Sequence, residues 1–561
     1  MNYFVTLTIF SIIFISTFKN GQTNAIKDVP TVTISQGTLV GKKSFDYWNE
    51  TFYSFEGIPY AKPPIGSLRF KAPEPAEPWA GTYDATQVRP ICPQPKGNGN
   101  ELLEQNEDCL FLNVHTKMST ELKPVMVWIH GGGMQEGSIF ENNYGPELLM
   151  SEDIVLVKLT YRLTVFGFLS LDDPKYEIHG NAGLKDQVMA LKWVQQNIHH
   201  FGGDPNQVTI FGESAGGASV HLLYLSPLAK GLFHRAISQS GAAGNPWLTS
   251  PNNYHELAQS LNCDSDNLDT IVNCINSTTA DDILAGFLKI QESEEFNEKL
   301  RNGEVIKYNS LTIESPKTSN SFLAENPEDI ARNGKFQRVP IIMGFNTHEG
   351  TMFIDLNCVK PNVTDYRTLI PRDINVDMSS KEAYDLGTNI KEFYYGDQTP
   401  SNDLVDPFID YLTDTMFFYH IYKFAKLQSN VAKDVPLYFY HFDYRTKLNS
   451  QNSKYKKYVN HFDDVQYLFY VKGRTPENLS TDSDEYIGIH RMVKLWTTFA
   501  KSQDADPNPI NDPLLNVKWE RVEPNKFNYL KISQNLEMKQ DPFHDRVKFW
   551  EQIYEIYNGS Y

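Results

Sequence analysis

Ser214 stands between glycines in Gly212-Glu213-Ser214-Ala215-Gly216, directly after the run Val208-Thr209-Ile210-Phe211. A β-branched and aromatic run that stops on glycine, then a serine, then small residues opening a helix, is the pattern of a nucleophile elbow. Side chains at 212 and 216 would clash where strand and helix come close, and the serine between them takes a strained backbone conformation. Its hydroxyl is then held above the sheet edge at a helix N-terminus, which favours developing negative charge. The chemistry open to such a serine is attack on an acyl carbon. That needs a base, a group that orients the base, and donors for the oxyanion. The donors are legible: His130-Gly131-Gly132-Gly133 follows an apolar strand expected over 125–130, and glycines let backbone N–H groups turn inward without obstruction. Gly132, Gly133 and Ala215, the residue after the nucleophile, are the expected oxyanion hole.

These groups need a scaffold. Apolar, β-branched strands are expected over 110–114, 125–130 and 154–161, of a kind that suits a sheet covered on both faces. Residues 184–198 carry Leu184, Val188, Leu191, Val194 and Ile198 at helical spacing with polar residues between. Further strands are expected over 235–239, 339–345 and 437–442, and closing helices over 489–501 and 543–557. Alternating strands and helices over this length predict a doubly wound α/β sheet. Residues 250–335 and 355–435 are less regular and read as helical insertions that cap it. Near the start, 31–35 and 38–41 predict a hairpin about Gln36-Gly37, and the proline-rich run 62–79 an extended surface segment. Arg69 within that run could pair with Glu107. No linker divides the chain, so 26–561 reads as one domain.

The 561 residues are 40% hydrophobic and 21% charged, with net charge −18 and pI about 5.3. That balance suits a globule and argues against nucleic acid or an anionic membrane surface as partner. Residues 1–25 read as a secretory signal peptide: 3–18 is an apolar run and Thr23-Asn24-Ala25 offers a cleavage site. A membrane anchor is the rival, but the run is short of a full span. Cys92 with Cys109 and Cys263 with Cys274 close short loops suited to an oxidising compartment, leaving Cys358 as a buried free thiol or an intermolecular bridge. Sequons at Asn49, Asn276, Asn362, Asn478 and Asn558 fit glycosylation of a secreted chain.

The stretches HGGG, YRLTVFGFLS, GNAGLKDQVMALKWVQQNIHHFGGDPNQVTIFGESAGG and SQSGAA resemble the type-B carboxylesterase family of α/β-hydrolases, above all insect secreted broad-specificity carboxylesterases. The likeness runs from about Thr38 to the final helix. It implies an α/β-hydrolase fold, a mostly parallel sheet with helical cap insertions, that acts on small-molecule esters without metal or cofactor. The family's acid lies in a GxNxxEG element, here Gly344-Phe345-Asn346-Thr347-His348-Glu349-Gly350, which makes Glu349 the acid by resemblance. By residue type alone it is one carboxylate among 69, set at a strand end beside glycine. The family's histidine maps to His461, with Tyr458 where glycine is usual. The order Ser214, Glu349, His461 is that of this fold. His348, His199 and His200 are weaker base candidates. Glu213 and Ser240 resemble polar groups that support the histidine. Arg69/Glu107 and Arg162/Asp186 resemble structural salt bridges, and Met134, Trp247, Met352 and Phe353 resemble pocket linings.

The resemblance also sorts relatives. Cholinesterases hold a quaternary ammonium over a tryptophan in the loop closed by the first disulfide. Here that loop, 93–108, has no aromatic residue, and one spare cysteine cannot make a third bridge. Juvenile hormone esterases usually carry GQSAG at the elbow, where this chain has GESAG. Adhesion-type relatives lose the nucleophile and carry a span. The expectation is a secreted serine esterase of broad specificity, working through an acyl-enzyme. A juvenile hormone esterase-like enzyme and a sequestering protein on the same fold are the alternatives.

Overall fold

The computed structural model describes residues 29–96, 103–139, 141–171, 173–248, 254–296, 311–315, 317–356, 359–449 and 453–559. The expected signal peptide and Cys358 lie outside them.

A sheet of eleven strands runs in the order Leu536–Gln540, Asn528–Ile532, Leu437–Phe442, Ile341–Asn346, Arg235–Gln239, Gly203–Glu213, Lys123–Ile129, Val155–Leu159, Phe111–Thr116, Thr51–Pro59, Lys42–Phe45. The middle is parallel from Asn528–Ile532 to Val155–Leu159, and antiparallel strands finish both edges. The predicted doubly wound sheet is therefore present, as is the hairpin at the start, Thr31–Ile34 against Gly37–Val40.

Alternation of side chains along each strand explains why both faces are covered. From Lys123–Ile129, residues Val125, Val127 and Ile129 enter one apolar layer, while Met126 and Trp128 enter the other. Ile341, Met343 and Phe345 divide from Ile342 in the same way. The first layer is closed by Ala182–Asn197, Ala215–Leu225, Tyr419–Val431 and His544–Asn558; the second by Asp484–Lys501, through Met492, Trp496 and Phe499. The predicted stripe of Leu184, Val188, Leu191 and Val194 is buried on the first of these helices. Strands hidden on both faces lose the polar alternation that marks a half-exposed strand, which is why they read as continuous apolar runs.

The insertions are helical, as expected. Tyr254–Ser260, Leu268–Ser277, Ala280–Gln291 and Pro327–Arg332 occupy the first, and Lys381–Tyr395, Val405–Thr413 and Tyr419–Val431 the second. Disulfides join Cys92 to Cys109 and Cys263 to Cys274. Arg69 makes a two-pronged pair with Glu107 at 2.6 Å, and Arg162 does the same with Asp186 in a fully buried setting. Two elements differ from expectation. The stretch containing Phe55 to Pro59 is part of a nine-residue strand, and the chain after Asn528 forms an edge hairpin.

Candidate active site

Four parallel strands bring their carboxyl ends level, with Ile129 opposite Gly212, Glu213 opposite Gln239, and Gln239 opposite Gly344. The loops that leave these ends carry His130 to Gly133, Ser214, Ser240 and Glu349. In an open α/β sheet this is where ligands bind.

Ser214 has φ 58° and ψ −123° at the start of Ala215–Leu225. A non-glycine residue held there costs about 1–3 kcal/mol, offset by its surroundings. Its N–H donates to Gln239 O at 2.9 Å, and its carbonyl accepts the Ala218 N–H at 2.8 Å. Gly216 is needed because a Cβ there would lie 2.1 Å from Ile129 O. Ala215 is the first helical residue, so its N–H has no partner within the helix.

His461 Nδ1 lies 2.6 Å from Glu349 Oε2. The second oxygen of Glu349 accepts from Ser240 Oγ at 2.5 Å and from the Asn346 N–H at 2.6 Å. Glu349 is fully buried, and His461 is 8% exposed. Ser240, expected to support the histidine, therefore acts on the acid that holds it. His461 Nε2, the nitrogen not engaged by Glu349, lies 3.1 Å from Glu213 Oε1 in a geometry that makes no hydrogen bond. Serine and glutamate meet at the glycine loop: a Cβ on Gly131 would lie 3.1 Å from both Ser214 Cβ and Glu213 Oε2.

The electrostatics follow from burial and crowding. Burial pushes Glu213 up to about 8, the neighbouring charges of Asp464 and Glu349 add to this, and the charge of His461 opposes it. Burial works against the His461 imidazolium, but Glu213 and Glu349 outweigh it and raise the ring to about 9. Beneath them, Asp464 is hydrogen-bonded by Gln239 at 2.8 Å and Tyr440 at 2.9 Å, and Trp496 donates to Gln239 at 3.0 Å. Burial raises Asp464 as well.

In the glycine loop, Gly132 has φ 103° and Gly133 φ 63°. At Gly132 a Cβ would fall 2.0 Å from Glu136 O, so only glycine fits. His130 is stacked on Tyr161 at 4.5 Å and bonded to Gly131 O through Nδ1, and burial lowers it to about 4. It is a neutral structural ring.

An aromatic wall adjoins His461. Phe417 lies 4.7 Å from the imidazole, 5.7 Å from Trp247 and 5.8 Å from Phe353. Trp247 and Phe353 thus reach the site through Phe417. Met134 is buried and Met352 half-buried in the same apolar layer. Phe417 belongs to Asp414–Phe418, one wide π turn between Val405–Thr413 and Tyr419–Val431. Such turns gather at functional sites. Asn245 and Trp247 donate to Met416 O at 2.7 and 2.8 Å and hold the turn in place.

The rival histidines are elsewhere. His199 and His200 lie with their rings 3.9 Å apart in Ile198–Phe201, at the amino end of the elbow strand rather than its carboxyl end. His348 Nδ1 accepts the Val459 N–H, and its ring lies 4.4 Å from Tyr458. Tyr458, the residue in place of the usual glycine, has no positive φ; it donates its hydroxyl to Asp406 and packs on the segment before Glu349. The substitution ties the two loops together instead of distorting one. Reasoning from sequence missed Phe417, Gln239 and Asp464; only Asp464, three residues after His461, had a positional signal.

Residues 28–550 match the Carboxylesterase family, and the chain belongs to it: the fold is that of the α/β-hydrolases and the activity is carboxylic ester hydrolysis. The chain is 35% identical to a juvenile hormone esterase of Tribolium castaneum, over 93% of each protein. It is 34% identical to esterase FE4 of Myzus persicae over 91% of each, and 32% identical to a carboxylic ester hydrolase of Bombus ignitus over 94% of each.

Proposed function

We propose that Ser214, His461 and Glu349 are the catalytic triad of a secreted esterase of broad specificity. The observation that carries the reading is the buried 2.6 Å contact of His461 Nδ1 with Glu349, with His461 Nε2 3.1 Å from Glu213, the residue before the strained elbow serine. Ser214 Oγ attacks the ester carbon while His461 Nε2 takes its proton. Glu349 fixes the ring tautomer and stabilises the imidazolium. The carbonyl oxygen becomes an oxyanion and is received by the amides of Gly132, Gly133 and Ala215, each worth about 3 kcal/mol in the transition state. His461 returns the proton to the departing alcohol, leaving an acyl-enzyme. Water, deprotonated by His461, then adds to the acyl carbon and releases the acid. None of these steps draws on a metal or cofactor.

Ser214→Ala tests the reading: ester turnover falls to background while the yield of folded protein is unchanged. Turnover that survives in this variant overturns the nucleophile assignment.

The aromatic and methionine wall of Trp247, Met134, Met352, Phe353 and Phe417 supports small aliphatic and aromatic carboxylic esters as substrates. A role specific to juvenile hormone, the substrate in the name of the Tribolium castaneum relative, is the second reading, supported by 35% identity over nearly the whole chain. A panel of p-nitrophenyl esters of graded chain length together with juvenile hormone separates them: broad turnover supports the first, hormone turnover alone the second. A single burst without turnover supports sequestration instead.

Secretion is supported by the apolar 3–18 run, the two disulfides and the exposed sequon residues Asn49, Asn362, Asn478 and Asn558. Asn276 is half-buried. Among the described residues no helix is long and apolar enough to cross a membrane. Treatment of the chain from an insect-cell medium with an N-glycosidase lowers its mass; a chain retained inside the cell, or one with no such mass change, contradicts this part.

A further inference from the structure

The glycine loop must keep its shape while charge builds on a substrate oxygen, and its own bonds do only part of that work. Residues 130–137 fold back on themselves: Gly132 O accepts the N–H groups of Gln135 at 3.0 Å and Glu136 at 3.1 Å. The end of the loop lies on its beginning, since a Cβ on Gly137 would fall 2.4 Å from His130 Nδ1 and 2.6 Å from Gly131 O. From outside, one side chain grips that end at two points. Gln94 Nε2 donates to Gly137 O at 3.0 Å, and Gln94 Oε1 accepts the Gly137 N–H at 2.8 Å. Nε2 also donates to Cys92 O at 3.1 Å, and the Gln94 backbone N–H donates to Gln105 Oε1 at 2.9 Å.

Gln94 is 1% exposed, and a carboxamide is the side chain that offers a donor and an acceptor together in the order a peptide unit requires. It sits two residues after Cys92, inside the loop closed by the bridge to Cys109.

We propose that Gln94 is a positioning residue of the oxyanion hole. Through the backbone of Gly137 it holds Gly132 and Gly133 in register with Ser214, and the Cys92–Cys109 bridge serves the reaction by fixing Gln94. The inference rests on the reading of Ser214 and the glycine amides given above. Gln94 touches no reacting atom, so its loss acts where charge develops and leaves binding of the neutral ester nearly intact.

The test uses the full chain carrying Gln94→Met, an apolar side chain of similar length, and Gln94→Glu, which keeps the shape and the acceptor but, when ionised, loses the donor to Gly137 O. Both are measured for kcat and KM on p-nitrophenyl butyrate and for inhibition by an aryl trifluoromethyl ketone. That ketone adds the serine hydroxyl and leaves an alkoxide in the oxyanion position, so it reports the hole directly. Removing a single oxyanion donor costs about 100–1,000-fold; displacing the loop is expected to cost about 10–100-fold in kcat, with KM within about twofold. Ketone affinity falls by the same factor as kcat. Wild-type kcat in either folded variant overturns the proposal, and so does a kcat loss with ketone affinity retained. Should Gln94→Met fail to fold, Gln94→Glu is read in the same way. Ser214→Ala runs alongside: if it still turns over, the reading of the nucleophile fails, whereas wild-type behaviour of the Gln94 variants beside a dead Ser214→Ala defeats this inference alone.

Discussion

His461 stands between two carboxylates, Glu349 at Nδ1 and Glu213 near Nε2. A base must be neutral before it can accept a proton, and both neighbours favour the charged ring, so His461 titrates above the ordinary histidine value of about 6.5. The sign follows. As pH falls through the raised value the imidazole charges and activity is lost, which places the acidic limb of kcat/KM above 6.5. Glu213→Gln removes one of the two carboxylates, so that limb moves to lower pH. A pH–rate profile of the variant checks this, and a limb that stays or moves upward contradicts it. Buried partners this close titrate together, so the profile reports the cluster and not one residue. At this scale the strained turn at Ser214 and the positive-φ glycines were legible because each draws its geometry from residues a few places apart. Glu349 and His461 were not legible by type, being one carboxylate among 69 and one histidine among 14. They come from distant loops, and only resemblance singled them out. Gln239 had still less to mark it, since its work is hydrogen bonding to Asp464 and Trp496, both distant in the chain.

Phe417 shows what the element contributes. The π turn that presents it is clamped from behind by Asp414, fully buried, which accepts from Arg546 Nε at 2.6 Å and Tyr394 OH at 2.5 Å. Trp550 donates in turn to Tyr394 at 2.8 Å. The closing helix His544–Asn558 thus fixes a turn that faces the active site. Arg546→Met leaves the Asp414 charge buried without its partner, at a cost of about 3–5 kcal/mol. Thermal unfolding of the variant is expected to show the loss, together with an altered ratio of activities on short and long acyl esters. An unchanged Tm contradicts the clamp. From sequence, the π turn is hidden within 355–435, which reads only as a helical insertion, since one extra residue in a turn leaves no periodic trace over so short a length. The strand Thr51–Pro59 was obscured for a related reason: its register slips between Phe55 and Ile58, where Gly57 has φ 67°, and Gly-Ile-Pro resembles a loop. The edge strand Leu536–Gln540 is short and charged, as edges tend to be, and so lacks an apolar signal.

Across the whole molecule, one sheet gathers at the carboxyl ends of its strands residues far apart in the chain, from the glycine loop at Gly132 to His461. Its double covering keeps the site's charges out of water, which is why Glu213 and Asp464 are raised. The net charge of −18 is a statement about the solubility of the chain. The measurement that tests the account most directly is capture of the acyl-enzyme. Brief exposure to a p-nitrophenyl ester of a slowly released acid, an acid quench and intact-mass analysis should show one added acyl group per chain, located on the peptide containing Ser214. No adduct, or an adduct on any other residue, contradicts the central claim.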